Sequence, residues 1–388
     1  MRGTWQADLV QRGDTTVAID RTLCPTPPMG FNTWNRFGMD INETLINETM
    51  DALVASGLAA LGYIHLNIDD GWMAPERSAS GALMPDPVRF PGGIRRLAGR
   101  AHGLGLKLGL YSDCGRKTCG GLPASYGHER QDAETFASWD IDYLKQDWCH
   151  VPFEDFPGQT ERQVAQILYG RVSEALADTG RPIILSLCNW GHGEPWEWAR
   201  GLGHLWRTTG DIVDAYHRPR SGWSGDLLGI FDVNVGLDAF AGPGGWNDPD
   251  MLEVGNGGMT DEEYRTHFAL WCLMAAPLLL GCDVRALSAQ TRAIVGNRDL
   301  IAVNQDPLGR QARRVWHAAG VHLLVKPLAD GGQAVALFNQ TDAPTAADPW
   351  AHVPGVATVR DLWTGVTASR GTVELAPHQT RVWRVAPR

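Results

Sequence analysis

The sequence predicts an α/β protein in which a (β/α)8 TIM barrel precedes a small C-terminal antiparallel β-sandwich domain. Three observations lead to this prediction. Eight short apolar runs alternate with stretches of helical period, acidic residues follow the ends of five of these runs, and the pattern changes past residue 311. We therefore divide the chain into an N-terminal leader (1–25), a barrel (26–311) and a sandwich (312–388).

The eight apolar runs have the length and composition of short buried strands. In order they read PPMGFNTW, YIHLNIDDGW, LKLGLYSDCG, IDYLKQD, PIILSLCNW, LWRTTGD, AGPGGWNDPDML and PLLLGCDV. Apolar residues at helical spacing separate several of them, over 43–62, 94–102, 133–139, 164–176 and 264–274. An open doubly wound sheet is the competing architecture, but no GxGxxG follows the first strand.

The last part of the chain alternates in the manner of β-structure. VHLLVKPLADGGQAVALFN reads as a strand, a glycine-containing turn and a second strand, and VRDLWTG and TVELAPHQTRVWRV continue the pattern. This alternating pattern predicts the sandwich domain over 312–388. The domain would either cover the barrel edge or add a contact to a sugar.

Composition excludes several kinds of partner. The net charge of −10 argues against nucleic acid or an anionic membrane, and no apolar run approaches the length of a membrane span. The N-terminus has no apolar core of signal-peptide length, which favours a cytoplasmic location, although a secreted chain whose signal had been removed would look the same. Seven cysteines form no disulfide framework, and no CxxC, HExxH or EF-hand spacing suggests a metal.

Carboxylates are concentrated at the predicted strand ends. They are Asp69, Asp70, Asp113, Asp147, Asp211, Asp248 and Asp250. In a barrel these ends meet at one mouth, where convergence of acids is costly unless a metal, a hydroxyl-rich sugar or acid/base catalysis requires it. Glycoside hydrolysis needs two carboxyl groups, one ionised and one protonated. Asp147 lies beside Lys145, which should keep it ionised. Asp211 needs a desolvated or anion-rich setting to hold its proton.

Other interpretations of these residues remain open. Carboxylates at successive strand ends also build Mg²⁺ sites, so a metal-dependent barrel lyase or isomerase is one alternative. A sugar-binding protein without catalysis is another. We expect Asp113 to cap a loop or to pair with Arg116 or Lys117, and Asp248 to form a turn.

Eight segments together resemble the motifs of one known family. MGFNTW, NIDDGWM, GLKLGLYSDCG, KTCGG, YLKQDWC, AGPGGWNDPDML, MAAPLLLG and NQDPLG occur in the order found in glycoside hydrolase family 27, the family of α-galactosidases and α-N-acetylgalactosaminidases. The resemblance runs from about Pro27 to the end of the chain. It implies a retaining double-displacement mechanism on a small carbohydrate with a terminal α-galactoside, and no cofactor or metal.

The resemblance also implies roles for individual residues. Asp147 matches the family nucleophile, and Asp211 matches the general acid/base. Matches to the family's sugar-binding positions are Trp34, Asp69, Asp70, Tyr111, Lys145, Arg207 and Asp250. Cys119 and Cys149 match a pair that is disulfide-bonded in relatives.

Two segments bear on the substrate. Gln146 precedes the nucleophile, where the family often has an aromatic residue. Cys188, Asn189 and Trp190 resemble the C-x-W-G form of galactosidases, which leaves no room for an acetamido group on C2, and Asp69 speaks against β-L-arabinopyranosidases. We therefore expect a retaining exo-acting α-galactosidase, with α-N-acetylgalactosaminidase and β-L-arabinopyranosidase as alternatives. The natural aglycone and the oligomeric state stay open.

Overall fold

Eight parallel strands form the first part of the protein. The computed structural model describes residues 19–218, 225–353 and 358–386, so residues 1–18 of the predicted leader lie outside the described part. The strands are β1 (Met29–Asn32), β2 (His65–Ile68), β3 (Lys107–Asp113), β4 (Tyr143–Asp147), β5 (Ile184–Leu187), β6 (Leu205–Arg207), β7 (Trp246–Asp248) and β8 (Leu278–Leu280). Each falls within one of the eight predicted runs.

The sheet curls until its ends meet. Neighbouring strands from β1 to β7 pair in order, and β1 also pairs with β8. Between β7 and β8 the contact is a parallel bridge from Leu252 to Leu280. Strands β1, β2 and β5 to β8 are buried along their whole length, which explains why they read as continuous apolar runs. The predicted TIM barrel is confirmed.

Helices surround the barrel, and six of those described begin at a side chain that caps the first turn. The α-helices are Trp34–Phe37, Glu43–Ala55, Ile94–Gly103, Glu129–Ser138, Glu161–Asp178, Leu227–Asn234, Asp261–Leu273, Ala289–Val295 and Arg298–Asn304. Short 3₁₀ turns are Arg21–Leu23, Ala59–Leu61, Phe153–Asp155, Pro195–Glu197, Ala199–Gly201, Val284–Ala286 and Pro349–Ala351. Thr160 and Thr260 each form a capping box, with Gln163 and Glu263 as the reciprocal partners, which fixes where two of the longer helices start. No helix in the described ranges is long and apolar enough to cross a membrane.

The C-terminal part is antiparallel, and the predicted β-sandwich is confirmed. Its strands are β9 (Arg313–Ala318), β10 (Val321–Pro327), β11 (Gln333–Asn339), β12 (Thr345–Ala347), β13 (Val359–Asp361), β14 (Thr367–Ala368), β15 (Val373–Leu375) and β16 (Thr380–Val385). They form a six-stranded sheet in the order β14-β13-β16-β11-β10-β9 and a two-stranded sheet of β12 and β15.

The larger sheet packs one face against the barrel. Along β11, Ala334, Ala336 and Phe338 belong to the hydrophobic core of the barrel, while Val335 and Leu337 point into a separate core of the C-terminal domain. This alternation is that of a strand buried on both faces. The two domains therefore share a continuous apolar contact.

A lysine is buried at this contact. The Lys326 ammonium is fully buried, donates a 3.1 Å hydrogen bond to the Cys272 carbonyl oxygen, and has its pKa lowered by burial from 10.5 to about 8. The unfolded chain therefore binds this proton more tightly than the folded protein does. Stability should rise as the pH increases from 8 to 10.5, by on the order of 3 kcal/mol for this shift.

Replacing Lys326 by methionine should remove this pH-dependent term. We expect the Lys326→Met variant to be more stable than the parent protein at pH 7 and the difference to shrink towards pH 10. Urea unfolding at pH 7, 8, 9 and 10, about one pH unit apart so that the points span the titration, measures this difference in stability. The exposed Lys117→Met variant serves as the control. A difference between Lys326→Met and parent that stays constant across this range would contradict the assignment.

Candidate active site

A cavity of about 390 Å³ lies at the carboxyl ends of the barrel strands. Its lining residues are Trp34, Asp69, Asp70, Tyr111, Cys119, Lys145, Asp147, Cys149, Trp190, His192 and Asp211. Eight of the residues singled out in the sequence for catalysis or sugar binding are among them, as are both cysteines of the expected pair. The loops after β1 to β6 therefore bring distant segments together at one site.

Strand β4 alternates between the barrel interior and the surrounding helices. Lys145 and Asp147 line the cavity, whereas Gln146 between them is fully buried beside Phe136 and Val172 of the helix layer. This is the period of two expected of a barrel strand. The departure from the family pattern at Gln146 consequently falls outside the cavity wall.

Asp147 is buried, with one carboxylate oxygen held by the backbone. Its Oδ1 accepts a 2.9 Å hydrogen bond from the Trp148 amide, and its Oδ2 lies 3.9 Å from the Lys145 ammonium. Burial raises the pKa of Asp147 to about 7; Lys145 opposes this shift and the neighbouring Asp211 adds to it. The expectation that Lys145 keeps Asp147 ionised stays a prediction: at 3.9 Å the ammonium favours the carboxylate, but desolvation outweighs it and raises the pKa of Asp147.

Lys145 pairs more closely with Asp69. The ammonium donates to Asp69 Oδ2 at 2.9 Å, and the Asn32 amide donates to the same oxygen at 2.7 Å. The Asp69 backbone amide in turn donates to Thr33 Oγ1 at 3.0 Å. Asn32 and Thr33 were not singled out in the sequence, although two polar residues directly after the apolar run of MGFNTW were a signal of such a role.

Asp70 is fixed by backbone donors. Its carboxylate accepts hydrogen bonds from the amides of Gly71 and Gly120 at 2.8 and 2.7 Å, while burial raises its pKa. A Cβ on Gly120 would come within 2.9 Å of Asp70 Oδ2 and closer still to the end of the Met39 side chain, so any larger residue here would require these side chains to shift.

Asp113 joins the loops that follow β3 and β4. It accepts hydrogen bonds from the backbone amides of Gly115 at 2.7 Å and Cys149 at 2.8 Å. Arg116 pairs instead with Glu154 and Asp155. Asp113 was expected either to cap a loop or to pair with Arg116 or Lys117. In the structure it caps a loop.

A disulfide connects the same two loops. Cys119 and Cys149 are bonded, with Cα atoms 5.1 Å apart, as the resemblance implied. Together with Asp113 they make up the one group of potential metal ligands found within the described ranges. Because both sulfurs are bonded to each other, neither offers the thiolate that a metal site would need.

Asp211 and Asp250 both contact the guanidinium group of Arg207. Arg207 Nη2 donates to Asp211 Oδ1 at 3.0 Å and lies 3.1 Å from Asp250 Oδ2, which also accepts from the Ile212 amide. Burial raises the pKa of Asp250 to about 6 against the opposing charge of Arg207. The Asp211 side chain is 28% exposed, whereas those of Arg207 and Asp250 are buried.

Four predicted sugar ligands are not part of the cavity lining: Cys188, Asn189, Arg207 and Asp250. Cys188 Sγ lies 3.6 Å from Arg207 Nη1, and the Asn189 amide donates to the His192 carbonyl at 2.5 Å. These residues support the wall from behind, and their contacts with sugar stay predictions. His192, which we expected from the sequence near the rim of the pocket, lines the cavity.

The site combines two carboxyl groups with a polar floor. Asp147 and Asp211 face one cavity, and Asp69, Asp70 and Lys145 supply charged hydrogen-bonding groups beside them. Trp34, Tyr111 and Trp190 add aromatic surface to the same wall. Such an arrangement suits acid/base and nucleophilic chemistry on a ligand that carries many hydroxyl groups.

Comparison with known proteins gives matches over nearly the whole chain. The family profile described as Alpha galactosidase A matches residues 26–306, and that of the Alpha galactosidase C-terminal beta sandwich domain matches 318–385. The alpha-galactosidase of Cyamopsis tetragonoloba is 44% identical over 376 residues, covering 94% of this chain and 87% of the relative. Alpha-galactosidase 3 of Arabidopsis thaliana is 48% identical over 358 residues, covering 89% of this chain and 77% of that protein.

Solved structures agree. Alpha-galactosidase I from Mortierella vinacea superposes with a TM-score of 0.88 at 38% identity, covering 95% of this chain and 98% of that one. The alpha-galactosidase from Saccharomyces cerevisiae, solved with raffinose, gives 0.87 at 28% identity, covering 94% and 98%. The chain belongs to the α-galactosidase family, glycoside hydrolase family 27.

Proposed function

We propose that this protein is a retaining, exo-acting α-galactosidase that releases terminal α-linked D-galactose from oligosaccharides or glycosides. The observation that carries the proposal is that Asp147 and Asp211 line one cavity next to Asp69, Asp70 and Lys145. The relatives named as alpha-galactosidases support the activity, and the yeast relative solved with raffinose supports a carbohydrate substrate.

In the first half of the reaction, Asp147 acts as the nucleophile. Its Oδ2, the oxygen not engaged by the Trp148 amide, attacks C1 of galactose from the face opposite the leaving group. Asp211 gives its proton to the glycosidic oxygen as the bond from C1 breaks, and the aglycone leaves as an alcohol. The product is a galactosyl ester of Asp147 and an ionised Asp211.

In the second half, the roles are reversed. Asp211 takes a proton from a water molecule, whose oxygen attacks C1 while the ester bond to Asp147 breaks. Two inversions at C1 give net retention, so galactose is released as the α-anomer. Arg207, which donates to Asp211, stabilises its ionised form between the two halves.

The raised pKa of Asp147 has a consequence for the resting enzyme. With a value of about 7, part of the population carries a protonated Asp147 near neutral pH before substrate binds. The nucleophile must be ionised, and the positive charges of Lys145, at 3.9 Å, and of Arg207 favour this reactive form.

Recognition of galactose rests on the charged floor of the cavity. Asp69, Asp70 and Lys145 are proposed to bind hydroxyl groups, with Asp69 and Asp70 at the C4 and C6 end. Charged acceptors already held by backbone and side-chain donors lose little entropy when they bind a sugar. Trp34 and Tyr111 provide flat apolar surface for the sugar ring.

We expect substrate preference to follow these contacts. On the p-nitrophenyl glycosides of α-D-galactose, α-N-acetylgalactosamine and β-L-arabinose, kcat/KM should be highest for the galactoside, by at least about 10²-fold. A site built to hydrogen-bond the C2 and C6 hydroxyls discriminates against sugars in which they are blocked or missing. A higher kcat/KM on either of the other two glycosides would overturn the α-galactosidase assignment in favour of the other member of the family.

A further inference from the structure

The loop that carries Asp211 is anchored on the barrel side by several contacts. Asp211 lies four residues past the end of β6, and the described part of its loop runs to residue 218. Ile212 forms a parallel bridge with Gly225, and the Asp214 carboxylate accepts a hydrogen bond of 2.9 Å from the Tyr264 hydroxyl. Tyr264 belongs to the helix Asp261–Leu273.

A fourth residue of this loop faces the C-terminal domain. The ring of Tyr216 is buried and stacks on the His378 imidazole, with centroids 3.9 Å apart and planes inclined by 20°. The Tyr216 hydroxyl is buried and has no hydrogen-bond partner within the described residues. The ring, not the hydroxyl, is therefore the part of the Tyr216 side chain that contacts the C-terminal domain. The backbone of this stretch is also held from the barrel side, by the Leu228 amide on the Tyr216 carbonyl oxygen at 3.2 Å and by the Arg218 amide on the Asp226 carboxylate at 2.7 Å.

His378 is itself held firmly. It lies in the turn between β15 and β16 with φ of 60°, and its carbonyl oxygen accepts a 2.6 Å hydrogen bond from Thr266 Oγ1. Its Nδ1 lies 2.8 Å from Glu263 Oε1, and its Nε2 lies 2.8 Å from Asp342 Oδ1. Contacts at both ring nitrogens and at the backbone fix the plane on which Tyr216 stacks.

We propose that His378 is a positioning residue for the acid/base carboxyl group, acting through Tyr216 on the loop that carries Asp211. The inference rests on the proposed function and extends it, because it gives the C-terminal domain a part in catalysis. Glu263 takes part from the same helix that anchors Asp214, so the two anchors of the loop share one rigid element. His378 touches neither the cavity nor Asp211 itself.

The position of a general acid matters most where the leaving group is poor. An aglycone that leaves as a weakly basic phenolate needs little protonation, whereas an alkoxide must be protonated as it leaves. A small displacement of the Asp211 carboxyl group should therefore reduce kcat/KM for alkyl galactosides and spare kcat/KM for dinitrophenyl galactoside. For both substrates, kcat/KM covers only the steps up to the first irreversible bond cleavage. Hydrolysis of the galactosyl ester in the second half of the reaction therefore does not affect it.

The test compares the leaving-group dependence of His378→Asn with that of the parent enzyme. Asparagine tolerates the left-handed backbone of residue 378 but cannot stack on Tyr216. We expect kcat/KM for methyl α-galactoside to fall about tenfold, and that for 2,4-dinitrophenyl α-galactoside to change less than about twofold. An equal fall on both substrates, or no fall on either, overturns the inference.

Two further variants and a control make the outcome specific. Tyr216→Ala should reproduce the effect, and it decides the question alone if His378→Asn does not fold. Tyr216→Phe keeps the ring and should behave as the parent does, so an alkyl-specific loss in this variant would also contradict the inference. His352→Asn, an exposed histidine that stacks on Trp316 within the C-terminal domain, is the matched control. Lack of activity in the parent enzyme would reject the proposed function instead.

Discussion

Replacing Asp147 by alanine should lower kcat on p-nitrophenyl α-galactoside by about 10⁵-fold, because the variant lacks the carboxylate that forms the ester with C1. This loss can be assigned to the missing nucleophile only if the variant remains folded. Burial raises the pKa of Asp147 from 3.8 to about 7, so the folded protein binds its proton more tightly than the unfolded chain. The carboxylate therefore destabilises the protein above pH 7, and Asp147→Asn should unfold at pH 8 at a temperature no lower than the parent.

An added anion can occupy the space left by the missing nucleophile. With azide and an activated galactoside, Asp147→Ala should form β-galactosyl azide, because one displacement from the face opposite the leaving group inverts C1. The anomer of the product is read by proton NMR. Turnover near the parent rate, or an α-azide product, would show that Asp147 is not the nucleophile.

Replacing Asp211 by alanine should have an effect that depends on the substrate. For methyl α-galactoside we expect kcat/KM to fall about 10³-fold, within the range by which a general acid contributes. For 2,4-dinitrophenyl α-galactoside the fall should stay below about tenfold, since this leaving group departs without a proton. The galactosyl ester of Asp147 should then accumulate, and pre-steady-state kinetics should show a burst of dinitrophenolate.

Azide distinguishes this variant from the first. It should attack the galactosyl ester from the face that water uses and give α-galactosyl azide, the opposite anomer to that expected from Asp147→Ala. Asp250→Asn is the matched control, because Asp250 contacts the same guanidinium nitrogen as Asp211 but does not line the cavity. An α-azide product from Asp250→Asn, and none from Asp211→Ala, would assign the acid/base role to Asp250 instead of Asp211.

Local patterns predicted the strands and most of the cavity. A buried parallel strand reads as an apolar run, and carboxylates at its carboxyl end are candidates for the mouth of the barrel. This is why Asp69 and Asp147 could be placed together from the sequence, whereas the place of Trp34 came from the family resemblance. The pairing of Cys119 with Cys149 came from the family resemblance, since spacing alone leaves several pairings open.

Contacts between distant segments could not be predicted in the same way. Lys145 and Asp147 are neighbours on one strand, yet the ammonium lies closer to Asp69 on β2, because strand tilt and register set distances across the barrel. The position of Cys188 and Arg207 behind the wall depends likewise on how loops pack. His378 carries no signal at all in the sequence, because its neighbours Tyr216 and Glu263 come from two other segments.

The central claim is that Asp147 forms a covalent bond to galactose, and trapping the intermediate tests it most directly. The parent enzyme is inactivated with a fluorinated α-galactosyl fluoride, which slows the second half of the reaction more than the first. Digestion and tandem mass spectrometry then locate the added sugar. We predict one sugar per chain, on Asp147 within the segment Tyr143–Asp147. A sugar on any other carboxyl group, or inactivation without a covalent adduct, would contradict the account.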